Sequence, residues 1–277
     1  MSEIKPEDYL EPNCLLCGEP YGAPPKVRTV PQRRIMEKMD EYMSRLDYDG
    51  AERLLLYWLD EARLGGDQRG ELMIRNELVG HYRKTSEEIK AREQAEAALG
   101  LLDEMDYSSS LSAGTTYVNI ATTLGSFGDH GKALELFAKA KEIYESGANT
   151  KPELIGGLCN NMGLSCAALG RYAEAESLYD QAMREMARVP GGEAEMAITC
   201  LNRADMAAER YGMEQSERQI GILLGRAEQL LLSPNIPRDG YYAYVCDRCA
   251  ASFSYYGYFA AAQELSKRAE TIRGLLD

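Results

Sequence analysis

The sequence predicts an all-α array of about six helix pairs. Three observations predict it: two segments that superimpose at an offset of 42 residues, an alanine pair that recurs at that offset, and turn-forming clusters roughly every 41 residues. Asn119-Ile120-Ala121 through Ala140 lies over Asn161-Met162-Gly163 through Ala182, so that Gly128 matches Gly170, Ala133 matches Ala175, Phe137 matches Tyr179 and Ala140 matches Ala182. The alanine pair returns upstream as Ala91 and Ala98, and downstream as Ala262 and Ala269 after Gly257. Small residues facing each other let two antiparallel helices approach closely, and a glycine ends the first helix in a backbone geometry that other residues resist.

The joints between pairs are Gly65-Gly66-Asp67, Ser108-Ser109-Ser110, Gly147 to Pro152, Pro190-Gly191-Gly192 and Ser233 to Gly240. First helices are therefore expected to begin near residues 31, 69, 112, 152, 193 and 241. The first pair, Ile35 to Arg63, shows the pattern only in Tyr48, Ala51 and the apolar run Leu54 to Leu59. In the fifth, Tyr211-Gly212-Met213-Glu214 stands where a tight turn belongs and runs about three residues long, so a wider groove is expected there. The sixth has a helical stripe of Leu265, Ala269, Ile272 and Leu276 with Lys267, Arg268, Glu270 and Arg273 opposite, as suits a closing cap. Its aromatics, Tyr241, Tyr242, Tyr244, Phe253, Tyr255, Tyr256, Tyr258 and Phe259, are expected mostly in core and turn packing, with a remainder available for a homodimer contact or a ligand platform. Residues 1–30 form a separate proline-rich arm, because six of the ten prolines fall at or before Pro31, and residues 31–277 form the array.

Composition narrows the function. A net charge of −13, from 44 acidic and 31 basic residues, opposes nucleic acid and anionic membrane surfaces and leaves a protein or peptide as the expected partner. The N-terminal stretch lacks the basic flank and apolar core of a secretory signal, which together with an odd count of 7 cysteines points to the reducing cytoplasm. Two histidines, His81 and His130, and the lack of a phosphate-binding loop or nucleophile elbow argue against an enzyme.

Asn160-Asn161-Met162-Gly163, Leu169-Gly170-Arg171-Tyr172, Ala175-Glu176-Ser177-Leu178-Tyr179 and Ala182 together resemble the tetratricopeptide-repeat (TPR) family, in the long-repeat form typical of kinesin-light-chain-like arrays. The resemblance covers about 240 residues. It implies a right-handed superhelical solenoid whose concave groove binds proteins or peptides. The family's carboxylate-clamp pattern of lysine and arginine is not intact.

An asparagine stands in each of four consecutive first helices, Asn76, Asn119, Asn161 and Asn202, at a position that in this family faces the concave side. A carboxamide both donates and accepts, so a ladder of them can grip an extended chain without reading its side chains. Neighbouring helices stand ~8–10 Å apart, close to the ~10 Å spanned by three extended residues. The alternative is that these amides bond the neighbouring helices. Arg75, Asn160, Arg203 and Arg248 lie at or beside groove positions and are candidates to receive carboxylates.

No cofactor is expected, with zinc as the one alternative. Cys14-Leu15-Leu16-Cys17-Gly18 has the spacing of a zinc knuckle, and Cys246-Asp247-Arg248-Cys249 would supply a second pair. A four-cysteine site stapling the arm across the solenoid would make the chain a structural adaptor or homodimer. Against it, Cys246 and Cys249, like Cys159 and Cys200, occupy repeat positions that normally face the core. The arm is also a candidate to occupy the groove itself.

Overall fold

In the computed structural model, which describes residues 27–147 and 150–276, all regular structure among the described residues is helical. The helices run α1 (Gln32–Ser44), α2 (Tyr48–Gly65), α3 (Gln68–Lys84), α4 (Glu88–Glu104), α5 (Leu111–Ser126), α6 (His130–Ser146), α7 (Pro152–Ala168), α8 (Tyr172–Met186), α9 (Glu193–Tyr211), α10 (Met213–Leu231), α11 (Gly240–Tyr255) and α12 (Phe259–Leu276). Each expected first helix begins within one residue of its predicted start. The chain divides into two compact units between Glu77 and Leu78, inside α3.

In the first unit α1 packs on α2, and Ile35, Met39, Leu55, Leu59, Leu72 and Ile74 are buried. The Asp67 carboxylate, 5% exposed, accepts from Gly70 N at 3.0 Å, supporting the first turn of α3, and from Val30 N at 2.9 Å. Arg28 N donates to Gly65 O at 2.9 Å, so the chain entering α1 is held along the joint between α2 and α3.

In the second unit, α5 with α6, α7 with α8, α9 with α10 and α11 with α12 form antiparallel hairpins, and the first helices pack in a row, α5 on α7, α7 on α9 and α9 on α11. The matched alanines meet in the core as anticipated: Ala91, Ala98, Ala133, Ala140, Ala175, Ala182 and Ala269 are fully buried. In the third and fourth pairs an aromatic of the second helix then lies over a glycine of the first. A Cβ at Gly163 would stand 2.6 Å from Cε1 of Tyr179, and one at Gly114 would stand 2.5 Å from Cε1 of Tyr144. Burial holds the Arg83 guanidinium, at the end of α3, below its usual range, with the Tyr244 hydroxyl of α11 acting in opposition.

Two expectations are corrected. The fifth pair does not open into a wide turn: α9 and α10 are both 19 residues long and meet at the single residue Gly212 (φ 81°, ψ 158°), so the extra residues are absorbed as helix. The aromatics of the sixth pair are mostly outside. Tyr242 and Phe253 are buried, whereas Tyr241, Tyr244, Tyr255, Tyr258 and Phe259 are exposed, because only one stripe of a helix faces the core and the others fall at the start of α11 and at the α11–α12 turn.

Candidate binding site

The first-helix row carries the asparagines, and their amides divide between two roles. Asn160 Oδ1 accepts from Asn202 Nδ2 at 3.0 Å and from Thr199 Oγ1 at 3.1 Å, all buried, which ties α7 to α9. Asn160 is thus occupied in helix packing rather than presented to a ligand. Asn161, half-buried, donates to Thr122 Oγ1 at 3.2 Å and ties α7 to α5. Asn119 lies on α5 facing Gly80, where an added Cβ would stand 3.9 Å from its Oδ1. Asn76 and Arg75 lie in the first unit, and Arg75 holds Glu71 through its Nε at 2.9 Å and an Nη at 2.5 Å.

Arg203 is turned toward α8, pairing with Glu176 at 2.7 Å and Asp180 at 2.8 Å. Its carboxylates come from its own array. Arg248 is exposed on α11. Cys246 and Cys249 are fully buried in the core of the last pairs, where burial raises both thiols, Cys249 to about 12. Cys14 and Cys17 lie outside the described residues.

What the row does bring together is a cleft of about 350 Å³ across α5, α7 and α9, floored by Phe137 and Tyr179 of the second helices. Asn161 and Asn202 line it, with Leu164, Met206 and the alanines of α7 as its apolar wall. Asp205 and Glu209, one turn apart on α9, are exposed at its rim, and Asp205 Oδ1 accepts from the Tyr256 hydroxyl at 2.7 Å. His130 Nδ1 stands 3.5 Å from Ser165 Oγ on the opposite side. Two buried polar atoms of this lining have no hydrogen-bond partner among the described residues: Asn202 Oδ1, on a side chain 2% exposed, and the Tyr179 hydroxyl, on one fully buried. The phenol is held protonated, first by burial and then by the Asp205 charge.

The ladder pointed to Asn161 and Asn202; it did not point to Tyr179, Asp205, Glu209 or His130. Asp205 and Glu209 could have been found, since they follow Asn202 at helical spacings of three and seven.

Residues 114–147 and 157–189, which contribute α5 to α8 of this cleft, match the family model for the tetratricopeptide repeat. The chain carries tetratricopeptide repeats. Among solved structures it is similar to a putative kinesin light chain with nearly identical TPR-like repeats from Podosopora anserina, 15% identical, with a TM-score of 0.50 over 74% of this chain and 96% of that one. A single-substitution form of that protein gives 15%, 0.48, 74% and 95%. BtubC (BKLC) from P. vanneervenii gives 19% identity and a TM-score of 0.48 over 90% of this chain and 93% of that one. At these identities the first likeness concerns the fold of the tetratricopeptide array alone. No curated protein matches the sequence.

Proposed function

We propose that the array is a scaffold that takes an extended segment of another protein along the face formed by α5, α7 and α9. The observation that carries this reading is the cleft, where a tetratricopeptide face leaves buried hydrogen-bonding atoms, Asn202 Oδ1 and the Tyr179 hydroxyl, without partners beside exposed apolar surface. Leu164, at 37% exposed, supplies part of that surface. The role is binding rather than chemistry: the cleft's Tyr179 and the nearby Cys166 have their proton affinities raised by burial, the reverse of what a nucleophile needs. The described cysteines are free thiols, in keeping with a cytoplasmic location.

The test is a random peptide library displayed on phage and panned against the full chain. Enriched peptides should lose binding to a Leu164→Arg variant, whose long side chain would fill the cleft from an exposed position. Failure to enrich any peptide, or equal binding to that variant, would remove the assignment to this face.

A further inference from the structure

We infer that the α5/α7/α9 cleft is a socket for an arginine side chain carried by the bound partner. The inference rests on the reading that this face receives a peptide, and it specifies which side chain the face reads.

Acidic side chains ring the mouth of the cleft. Asp205 and Glu209 are exposed at the rim, and the cationic side chains closest in sequence are engaged elsewhere. Arg203 pairs with Glu176 and Asp180 on α8, and Arg210 lies over the rings of Tyr172 and Tyr211, 5.4 and 4.8 Å from their centroids. His130 is the remaining basic group of the lining, and it stands beside Ser165, 3.5 Å from the hydroxyl. Acidic side chains therefore outnumber basic ones in the lining. Asp205 is also oriented: one carboxylate oxygen holds the Tyr256 hydroxyl, which fixes the direction of the other.

The floor of the cleft points the same way, independently of charge. Asn202 Oδ1 is an acceptor closed off from water and without a donor, while the same amide's Nδ2 is fixed on Asn160. With Nδ2 on Asn160, the atom left unsatisfied is the amide oxygen, an acceptor that calls for an N–H. Between floor and rim, Leu164 and Met206 offer apolar wall that the methylenes of a long cationic side chain would cover.

Acceptors at both levels favour guanidinium over ammonium. A guanidinium carries five N–H donors in a plane and is weakly hydrated, so it can meet Asn202 and Asp205 together; an ammonium is a compact, strongly hydrated charge.

The probes are Nα-acetyl-arginine methylamide and its neutral isostere Nα-acetyl-citrulline methylamide, titrated into the full chain with 13C-labelled methionine methyls. The arginine amide should shift the Met206 signal and the citrulline amide should bind about tenfold more weakly. An Asp205→Asn, Glu209→Gln double variant, altered only at exposed positions, should lose the difference. Equal response to both amides, or none to either, would overturn the socket. The phage library separates this inference from the one beneath it. Peptides bearing an aligned arginine support both; peptides without one that still fail on Leu164→Arg sink the socket and leave the scaffold; lysine in place of arginine overturns the choice of guanidinium.

Discussion

The first two hairpins and the next two close with the same turn built from different residues. In the third pair Asp129 N donates to Leu124 O at 2.9 Å and Gly128 has φ 86°; in the fourth, Arg171 N donates to Cys166 O at 2.8 Å and Gly170 has φ 72°. The first pair repeats the bond as Asp47 N to Tyr42 O at 2.9 Å, and the second as Glu87 N to Tyr82 O at 2.8 Å, yet the left-handed position is Leu46 at φ 56° and Ser86 at φ 61°. A side chain there costs about 1 kcal/mol or more relative to glycine. The difference teaches that the hydrogen-bonded end of the first helix sets the turn, and glycine only relieves it.

Substitutions can break the later pairs and improve the earlier ones. The largest effect is expected at Gly163, whose missing Cβ makes room for the Tyr179 ring. Gly163→Val should cost about 3 kcal/mol in urea unfolding, whereas Ala121→Gly at the matched, fully buried position of the third pair should cost about 1.5 kcal/mol, from helix propensity and the loss of one buried methyl. Similar losses at the two sites would show that ring packing does not distinguish them. Next is Gly212, where φ 81° and ψ 158° fall in a region almost closed to other residues. Nothing lies within 4 Å of an added Cβ there, so Gly212→Ala should cost about 2 kcal/mol through the backbone alone. Third, Leu46→Gly and Ser86→Gly should each raise stability by about 1 kcal/mol, seen as an upward shift in Tm, since Leu46 is 67% exposed and Ser86 is also exposed. A loss at both would mean that the early turns are not strained.

This comparison also explains what could be read in advance. The helix starts were legible because Ser110, Pro152 and Asp239 are local signals that act within one turn: Ser110 Oγ accepts from Ala113 N at 3.0 Å and Asp239 Oδ1 from Tyr242 N at 3.0 Å. The first pair was faint because Leu46 carries no turn signal. The cleft was half legible. Asn161 and Asn202 stood out by periodicity, but whether an amide bonds its neighbour or faces a ligand depends on distances between helices far apart in sequence, and Asn160 and Asn202 differ in role despite both being buried. Tyr179 reads as packing, which it is, and its idle hydroxyl has no sequence signature. The aromatics of α11 depart from expectation because composition does not say which side of a helix a residue occupies.

The smallest expected effect lies at Glu77, where α3 crosses from one unit to the next. Its carboxyl is pushed up from the usual glutamate range, chiefly by burial and then by the like charge of Asp40 on α1. A raised carboxyl binds its proton more tightly in the folded chain than in the unfolded one, so this group's contribution is fully present below the ordinary glutamate value of ~4.3 and is lost as pH climbs through the raised value. Glu77→Gln removes that loss. The variant should melt above the parent near pH ~7, and the gap should close as pH falls toward ~4. Added salt should narrow the gap only slightly, since salt screens the Asp40 repulsion and leaves the burial cost in place. A gap of the same size at both pH values would show that the gain came from packing, and a lower Tm at neutral pH would show that the charge at Glu77 is stabilising where it stands.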